Sequence, residues 1–151
     1  MGRDCEIRDV RSVGADALVA LFAAVVPEFS PVPSGPEVFV AEPTSFALGA
    51  YVDDEPAGLA WGVHMRTPAG RLTTYLHQLD VVERFRRRGL ATALVREAMA
   101  VGRRAGATKF WLSTGAHNET AQALYASLGG DHKPRGDVNY WWDLTTPLDD
   151  R

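Results

Sequence analysis

Apolar residues along this chain recur either at helical spacing or in short β-prone runs closed by turn residues, and the alternation of the two kinds sets out the fold. Arg8-Asp9-Val10 reads as the end of a first strand. Ala15 to Val26 is an Ala-, Leu- and Val-rich helix stopped by Pro27. Phe46 to Val52 and Ala57 to Met65 read as strands around the turn Asp53-Asp54-Glu55, which makes a hairpin. Thr67-Pro68-Ala69-Gly70 is a further turn, leading into a β-prone run from Tyr75 to Val81. Beyond it, Leu90, Leu94, Val95, Ala98 and Val101 form the apolar stripe of a helix that Gly102 and Gly106 are expected to end. Lys109 to Ser113 reads as a strand in parallel pairing with the Tyr75 run, so that strand, helix and strand make a β-α-β unit with the usual right-handed crossover. Asn118 is a good N-cap for a helix from Glu119 to Leu128, with Ala121, Leu124, Tyr125 and Leu128 on its inner stripe and Gly129-Gly130 closing it. Val138 to Leu144 is a last strand rich in aromatics.

One segment fits neither period. From Glu28 to Pro43 the chain carries Pro31, Pro33, Pro36 and Pro43 with few helix formers between them, which predicts a surface connection or, less commonly, a binding loop.

Composition narrows the picture without naming a chemistry. A chain of 151 residues is expected to form one domain over residues 1–151, burying roughly two-thirds of its unfolded surface. The hydrophobic share of 46% and charged share of 23% are those of an ordinary globular protein. The single cysteine, Cys5, excludes an internal disulfide framework and a multi-cysteine zinc site, and His64, His117 and His132 lack ligand spacing, so no metal is expected. With no apolar run long enough for a signal peptide or a membrane span, the expected location is the cytoplasm, without a membrane partner. A net charge of −3 argues against nucleic acid as a partner.

The chemistry is concentrated between Tyr75 and Ala91, Y-L-H-Q-L-D-V-V-E-R-F-R-R-R-G-L-A. A strand here runs into Arg86, Arg87, Arg88 and Gly89 at the start of a helix. The free N–H groups of a first helical turn attract an anion, and a glycine leaves space for it. There is no G-x-x-x-x-G-K-[ST] and no G-x-G-x-x-G, which excludes a nucleotide P-loop and a dinucleotide fingerprint. What stands instead is Arg86-x-x-Gly89-x-Ala91, and farther on Asn118-x-x-Ala121-x-x-x-Tyr125-x-x-x-Gly129. In order, spacing and surrounding elements the pair resembles the two signatures of the GNAT superfamily of acetyl-CoA-dependent N-acetyltransferases.

That resemblance implies an α/β (α+β) fold, with a mixed central sheet of about six to seven strands splayed between the fourth and fifth and flanked by about four helices. It implies acetyl-CoA as cofactor, with Arg86, Arg87, Arg88, Gly89, Leu90, Ala91 and Thr92 around the pyrophosphate and main-chain groups of Leu79, Asp80 and Val81 pairing with the pantetheine arm. Asn118 and Ala121 would flank that arm, Asn118 capping its helix as well. In such enzymes an amine attacks the thioester directly, so the protein stabilises an oxyanion, takes up a proton and returns one to the leaving thiolate. A main-chain N–H near Val81 is the expected oxyanion donor. Tyr125 is the expected general acid, since a phenol of pKa about 10 returns a proton to a thiolate of pKa about 8.5 at small cost; as a plain residue it is a core aromatic on the helix stripe.

The segment around His77 is also similar, without a gap, to that of the arylalkylamine N-acetyltransferases, where a histidine at this position takes part in proton removal. An amine of pKa near 10.4 costs roughly 4 kcal/mol to deprotonate at neutral pH, so either His77 acts as base or water carries the proton. Strand alternation would put Tyr75, His77, Leu79 and Val81 on one face. The glutamate that serves as base in ribosomal-protein N-terminal acetyltransferases falls at Ser113, which speaks against a protein substrate of that kind.

Through Leu21-Phe22, Glu28-Phe29, Phe46-Ala47-Leu48, Gly58 to Val63, Tyr75 to Val95, and Ala123-Leu124-Tyr125 to Leu128-Gly129, most of the chain resembles the class I aminoglycoside 3-N-acetyltransferases, although His77-Gln78-Leu79-Asp80-Val81 stands where that family has Y-D-L-A-V. The resemblance implies a small cationic acceptor, an aminoglycoside, and a role in antibiotic resistance. A polycation needs carboxylates around it, and Glu28, Asp80 and Glu119 are the expected ligands, with Glu37 and Asp137 as further possibilities. The alternative acceptors are a polyamine, an arylalkylamine, or a peptide or protein amine. Tyr140, Trp141 and Trp142 either close the core or offer a surface for a homodimer.

Overall fold

The computed structural model describes residues 5–132 and Tyr140. The chain divides into two compact units, residues 1–118 and 119–151.

The first unit is built on a five-stranded sheet in the order β1-β2-β3-β4-β5. These strands are Cys5–Asp9, Ser45–Val52, Glu55–Arg66, Leu72–Val81 and Lys109–Leu112. The first four pair antiparallel in succession and β5 joins β4 in parallel, giving the mixed sheet that the sequence predicts. The described residues hold five strands rather than six or seven, and the last one expected, over Val138–Leu144, falls outside them apart from Tyr140. Near-continuous burial of β2, from Ser45 to Tyr51, shows that both faces of the sheet are covered. On one face, Leu21 of helix α2 (Ala15–Val25) packs against Gly49, beside Leu59 and Tyr51. On the other, Leu94 of helix α4 (Leu90–Ala105) packs against Gly58. The stripe Leu90, Leu94, Val95 and Ala98 is buried as its spacing predicts.

Three boundaries differ from the sequence expectation. Val10 opens a single-turn helix, α1 (Val10–Val13), instead of ending β1, because the Asp9 carboxylate accepts from the Ser12 N–H at 3.2 Å and caps it. The proline-rich segment holds a helix, α3 (Gly35–Ala41), with Pro36 in its first turn, where a missing N–H costs nothing. Gly102 does not end α4. It is buried inside the helix because a Cβ there would stand 2.8 Å from the Thr74 hydroxyl of β4, and Gly106, at φ +95°, is the cap. Asp53 and Asp54 turn the β2–β3 hairpin with positive φ at both positions, as a tight primed turn requires.

In the second unit, α5 (Glu119–Ser127) carries the predicted stripe, with Ala121, Leu124, Tyr125 and Leu128 half-buried and the intervening positions exposed. Gly129, at φ +83°, closes it, and the Gly130 N–H bonds the Tyr125 carbonyl at 2.9 Å. Among the described residues no helix is long and apolar enough to cross a membrane.

Candidate active site

β4 changes character at His77. From Thr73 to Leu76 it is paired with β3 on one edge and with β5 on the other, the β5 ladder ending at Leu76–Leu112. From His77 to Val81 it keeps only β3, which leaves an edge of main-chain groups beside the gap. The Val82 N–H bonds the Ala57 carbonyl at 2.9 Å, so by antiparallel alternation Asp80 turns its main chain to β3 while Leu79 and Val81 turn theirs to the gap. The Val81 carbonyl on that side accepts from Arg86 Nε at 3.0 Å.

His77 is also an extra residue in the ladder. Trp61 faces Gln78 and Gly62 faces Leu76, so β4 spends two residues where β3 spends one. The bulge overturns the expected alternation. Tyr75 and His77 remain on one face, their rings 5.8 Å apart, with His77 4.4 Å from the Trp61 ring. Past the bulge that face is taken by Gln78 and Asp80, while Leu79 and Val81 turn to the other, where Val81 stands beside Leu94 of α4. Two polar residues thereby join His77 on the Trp61 face.

The anion cradle lies at the end of the same strand. A short 3-10 turn, Glu83–Phe85, buries Phe85, and the guanidiniums of Arg84 and Arg88 lie over its ring at 4.6 and 5.4 Å. Arg84 also pairs with Glu55. Arg86, Arg87, Arg88 and Gly89 are exposed, and Arg87 and Gly89 both adopt positive φ, at 61° and 78°. Gly89 is the N-cap of α4 and makes no side-chain cap bond, so the amides of Leu90, Ala91 and Thr92 open the helix with its positive dipole end. Nothing lies within 4 Å of a Cβ built on Gly89. Open space, first-turn amides and three arginines fit a pyrophosphate.

Opposite the gap, the Trp61 face opens into a cleft of about 350 Å³. Phe22 of α2, Phe29 and Pro31 of the connection, Phe39 of α3, Trp61 and Gln78 are among the side chains around it. The Glu28–Pro43 segment is thus a wall of this cleft and not a plain connection. Gln78 accepts from Trp61 Nε1 at 2.8 Å and donates to Asp80 Oδ2 at 2.6 Å, which places the Asp80 carboxylate beside the cleft. Glu28 is exposed, and its neighbours Val26 and Phe29, not its own side chain, line the cleft. Trp61 and Gln78 line the cleft without a sequence signal of their own, because a tryptophan and a glutamine in a strand carry no motif. The only sequence signal was aromatic density, Phe22, Phe29 and Phe39, around the prolines. No group of three or more potential metal ligands occurs among the described residues.

Asn118, its N–H on the Gly115 carbonyl at 3.0 Å, ends the first unit. Ala121, Tyr125 and Glu119 belong to α5 of the second unit, and Asp137 lies outside the described residues.

The chain matches the acetyltransferase (GNAT) family over residues 16–129. No curated relative matches. Among solved structures it is similar to an aminoglycoside acetyltransferase from an uncultured soil metagenomic sample in complex with sisomicin, at 12% identity and TM-score 0.78, over 93% of this chain and 96% of that one. It is similar to the aminoglycoside N-acetyltransferase AAC(6')-Iy in complex with CoA, at 18% identity and TM-score 0.75, over 95% and 97%. It is also similar to a ribosomal-protein-alanine N-acetyltransferase from Brucella melitensis, at 18% identity and TM-score 0.71, over 93% and 99%. With the family matched over residues that include both signatures, and a sheet that parts after Leu76 beside the open helix terminus at Gly89, the chain belongs to the GNAT family and is an acetyl-CoA-dependent N-acetyltransferase.

Proposed function

We propose that the protein transfers the acetyl group to a primary amine of a small molecule by direct attack, and that the open half of β4 is where this happens. The observation that carries the reading is the edge from His77 to Val81, unpaired by β5 and continuous with the cradle at Gly89. Acetyl-CoA supplies an acetyl group activated as a thioester. Arg86 to Thr92 hold its pyrophosphate, and the main-chain groups of Leu79 and Val81 pair with the pantetheine arm, with an N–H near Val81 as oxyanion donor. His77 takes the proton from the amine and Tyr125 returns one to the leaving thiolate. Asn118 and Ala121 flank the coenzyme.

An aminoglycoside, acetylated on its 3-amino group in antibiotic resistance, is the acceptor that the sequence resemblance favours, and aminoglycoside acetyltransferases of the same fold support testing it first. Asp80, Glu28 and Glu119 would then bind its ammonium groups. A second reading, an amine on an apolar body, is favoured by the lining of the cleft beside His77.

The test is release of free CoA from acetyl-CoA mixed with gentamicin or sisomicin, with the acetylated nitrogen located by NMR. Turnover by the wild type, and a loss of about 100-fold in kcat in Tyr125→Phe, would support the assignment. No turnover across an aminoglycoside panel would remove the aminoglycoside acceptor.

A further inference from the structure

We infer that the cleft beside His77 seats an aromatic or alkyl body, so that the acceptor is a small amine carried on an apolar group and not a polycation. This rests on the acetyl-transfer reading above and refines its acceptor.

The lining is the first observation. Among the described residues around the cleft none carries a charge, and Gln78, which bonds Trp61 and Asp80, is the one with a side-chain amide. An ammonium pushed into such a space would lose its water without meeting a counter-charge, whereas an apolar group would lose only unfavourable hydration.

The second observation is where charge does occur. The His77 ring lies against Trp61, the cleft wall, and Gln78 holds Asp80 on the same face. A carboxylate that accepts one bond keeps capacity for others. An apolar body in the cleft therefore leaves its amine at the rim, where among the described residues the Asp80 carboxylate and the His77 imidazole share the Trp61 face.

The third observation is the mouth. Val32 lines the cleft yet is 70% exposed, so the cleft opens to solvent along an apolar side chain. At about 350 Å³ the space is at the lower end of the range for small-molecule sites, which makes the occupant a compact amine and not a folded partner.

The chemistry is unchanged. The amine nitrogen forms a bond to the acetyl carbonyl carbon, the C–S bond breaks with its electron pair left on sulfur, the nitrogen sheds a proton at the His77 end, and the thiolate takes one up. The products are an acetamide and CoA.

The experiment compares ethylamine, hexylamine, 2-phenylethylamine and sisomicin as acceptors by CoA release, with calorimetric binding of acetyl-CoA, and of 2-phenylethylamine to the free protein, measured separately. The expected result is at least a tenfold rise in kcat/KM from ethylamine to hexylamine or 2-phenylethylamine. The exposed variant Val32→Asn should raise KM for 2-phenylethylamine several-fold and leave KM for ethylamine and the acetyl-CoA affinity unchanged, a split that a general folding defect does not produce. Preference for sisomicin over the apolar amines, with acetyl-CoA bound normally, overturns the inference and leaves acetyl transfer standing. Absence of acetyl-CoA binding removes the proposed function itself. Absence of saturable 2-phenylethylamine binding to the free protein overturns the inference whatever the coenzyme does.

Discussion

The two halves of β4 are one strand by sequence and two environments by structure. From Leu72 to Leu76 the backbone is held on both edges, Thr74 and Leu76 are buried, and α4 presses close enough on Thr74 to require Gly102. From His77 to Val81 one edge is unpaired, His77 is exposed, and the side chains divide between an apolar cleft and the side of α4. The bulge at His77 is the boundary. A fully paired strand satisfies its main chain internally and can only be structural, whereas a half-paired one keeps N–H and C=O groups for a ligand. The half held on both edges thus anchors the half whose main chain is left open.

Substitutions on either side of the boundary should separate these roles. The largest effect is expected at Gly62, which sits opposite Leu76. A methyl there overlaps the Tyr75 carbonyl oxygen and meets the Phe46 ring at 2.9 Å, so Gly62→Ala should cost about 3 kcal/mol or more, read as a reduced denaturant midpoint. An unchanged midpoint would mean that the held half is not held. In the cradle, Gly89→Glu should weaken acetyl-CoA binding by at least about 100-fold, since it sets a like charge against pyrophosphate in calorimetry. Gly89→Ala separates charge from backbone strain, and should lose only about 1 kcal/mol of stability for its positive φ while still binding coenzyme.

On the open half, His77→Ala should lower kcat by about 100-fold. An unaltered kcat would show that the proton leaves through water. The smallest effect belongs to His64 on the held half, stacked on Phe46 at 5.4 Å with Nδ1 2.8 Å from the Thr74 hydroxyl. Burial lowers its pKa from the ordinary 6.5, so the folded protein keeps it neutral while the unfolded chain takes a proton. Its contribution to stability is therefore full above pH 6.5 and declines as pH falls through the window below that value. His64→Asn should flatten that decline in melting temperature.

Much of this was readable in advance where the signal is local. The hairpin turn at Asp53-Asp54, the α4 stripe and the α5 stripe each depend on a periodicity or a turn within a few residues, and the structure keeps them. Helix α3 was not readable, because Gly35-Pro36 looks like a breaker unless the proline falls in a first turn. The bulge was not readable either. His77 is an ordinary strand residue until β3 presents one residue fewer opposite it, so the faces of Leu79, Val81, Gln78 and Asp80 were assigned by an alternation that tertiary pairing breaks.

By itself the sequence determined the family, because its two signatures are local, and it placed at Arg86-x-x-Gly89-x-Ala91 a strand-to-helix turn whose amides, charges and missing side chain lie within one helical turn. Only the tertiary structure decided which residues stand around the cleft. The cleft joins Phe22, Phe29 and Phe39 to Trp61 and Gln78, residues separated by as much as the distance from α2 to β4 along the chain, and its apolar character is a property of that assembly alone.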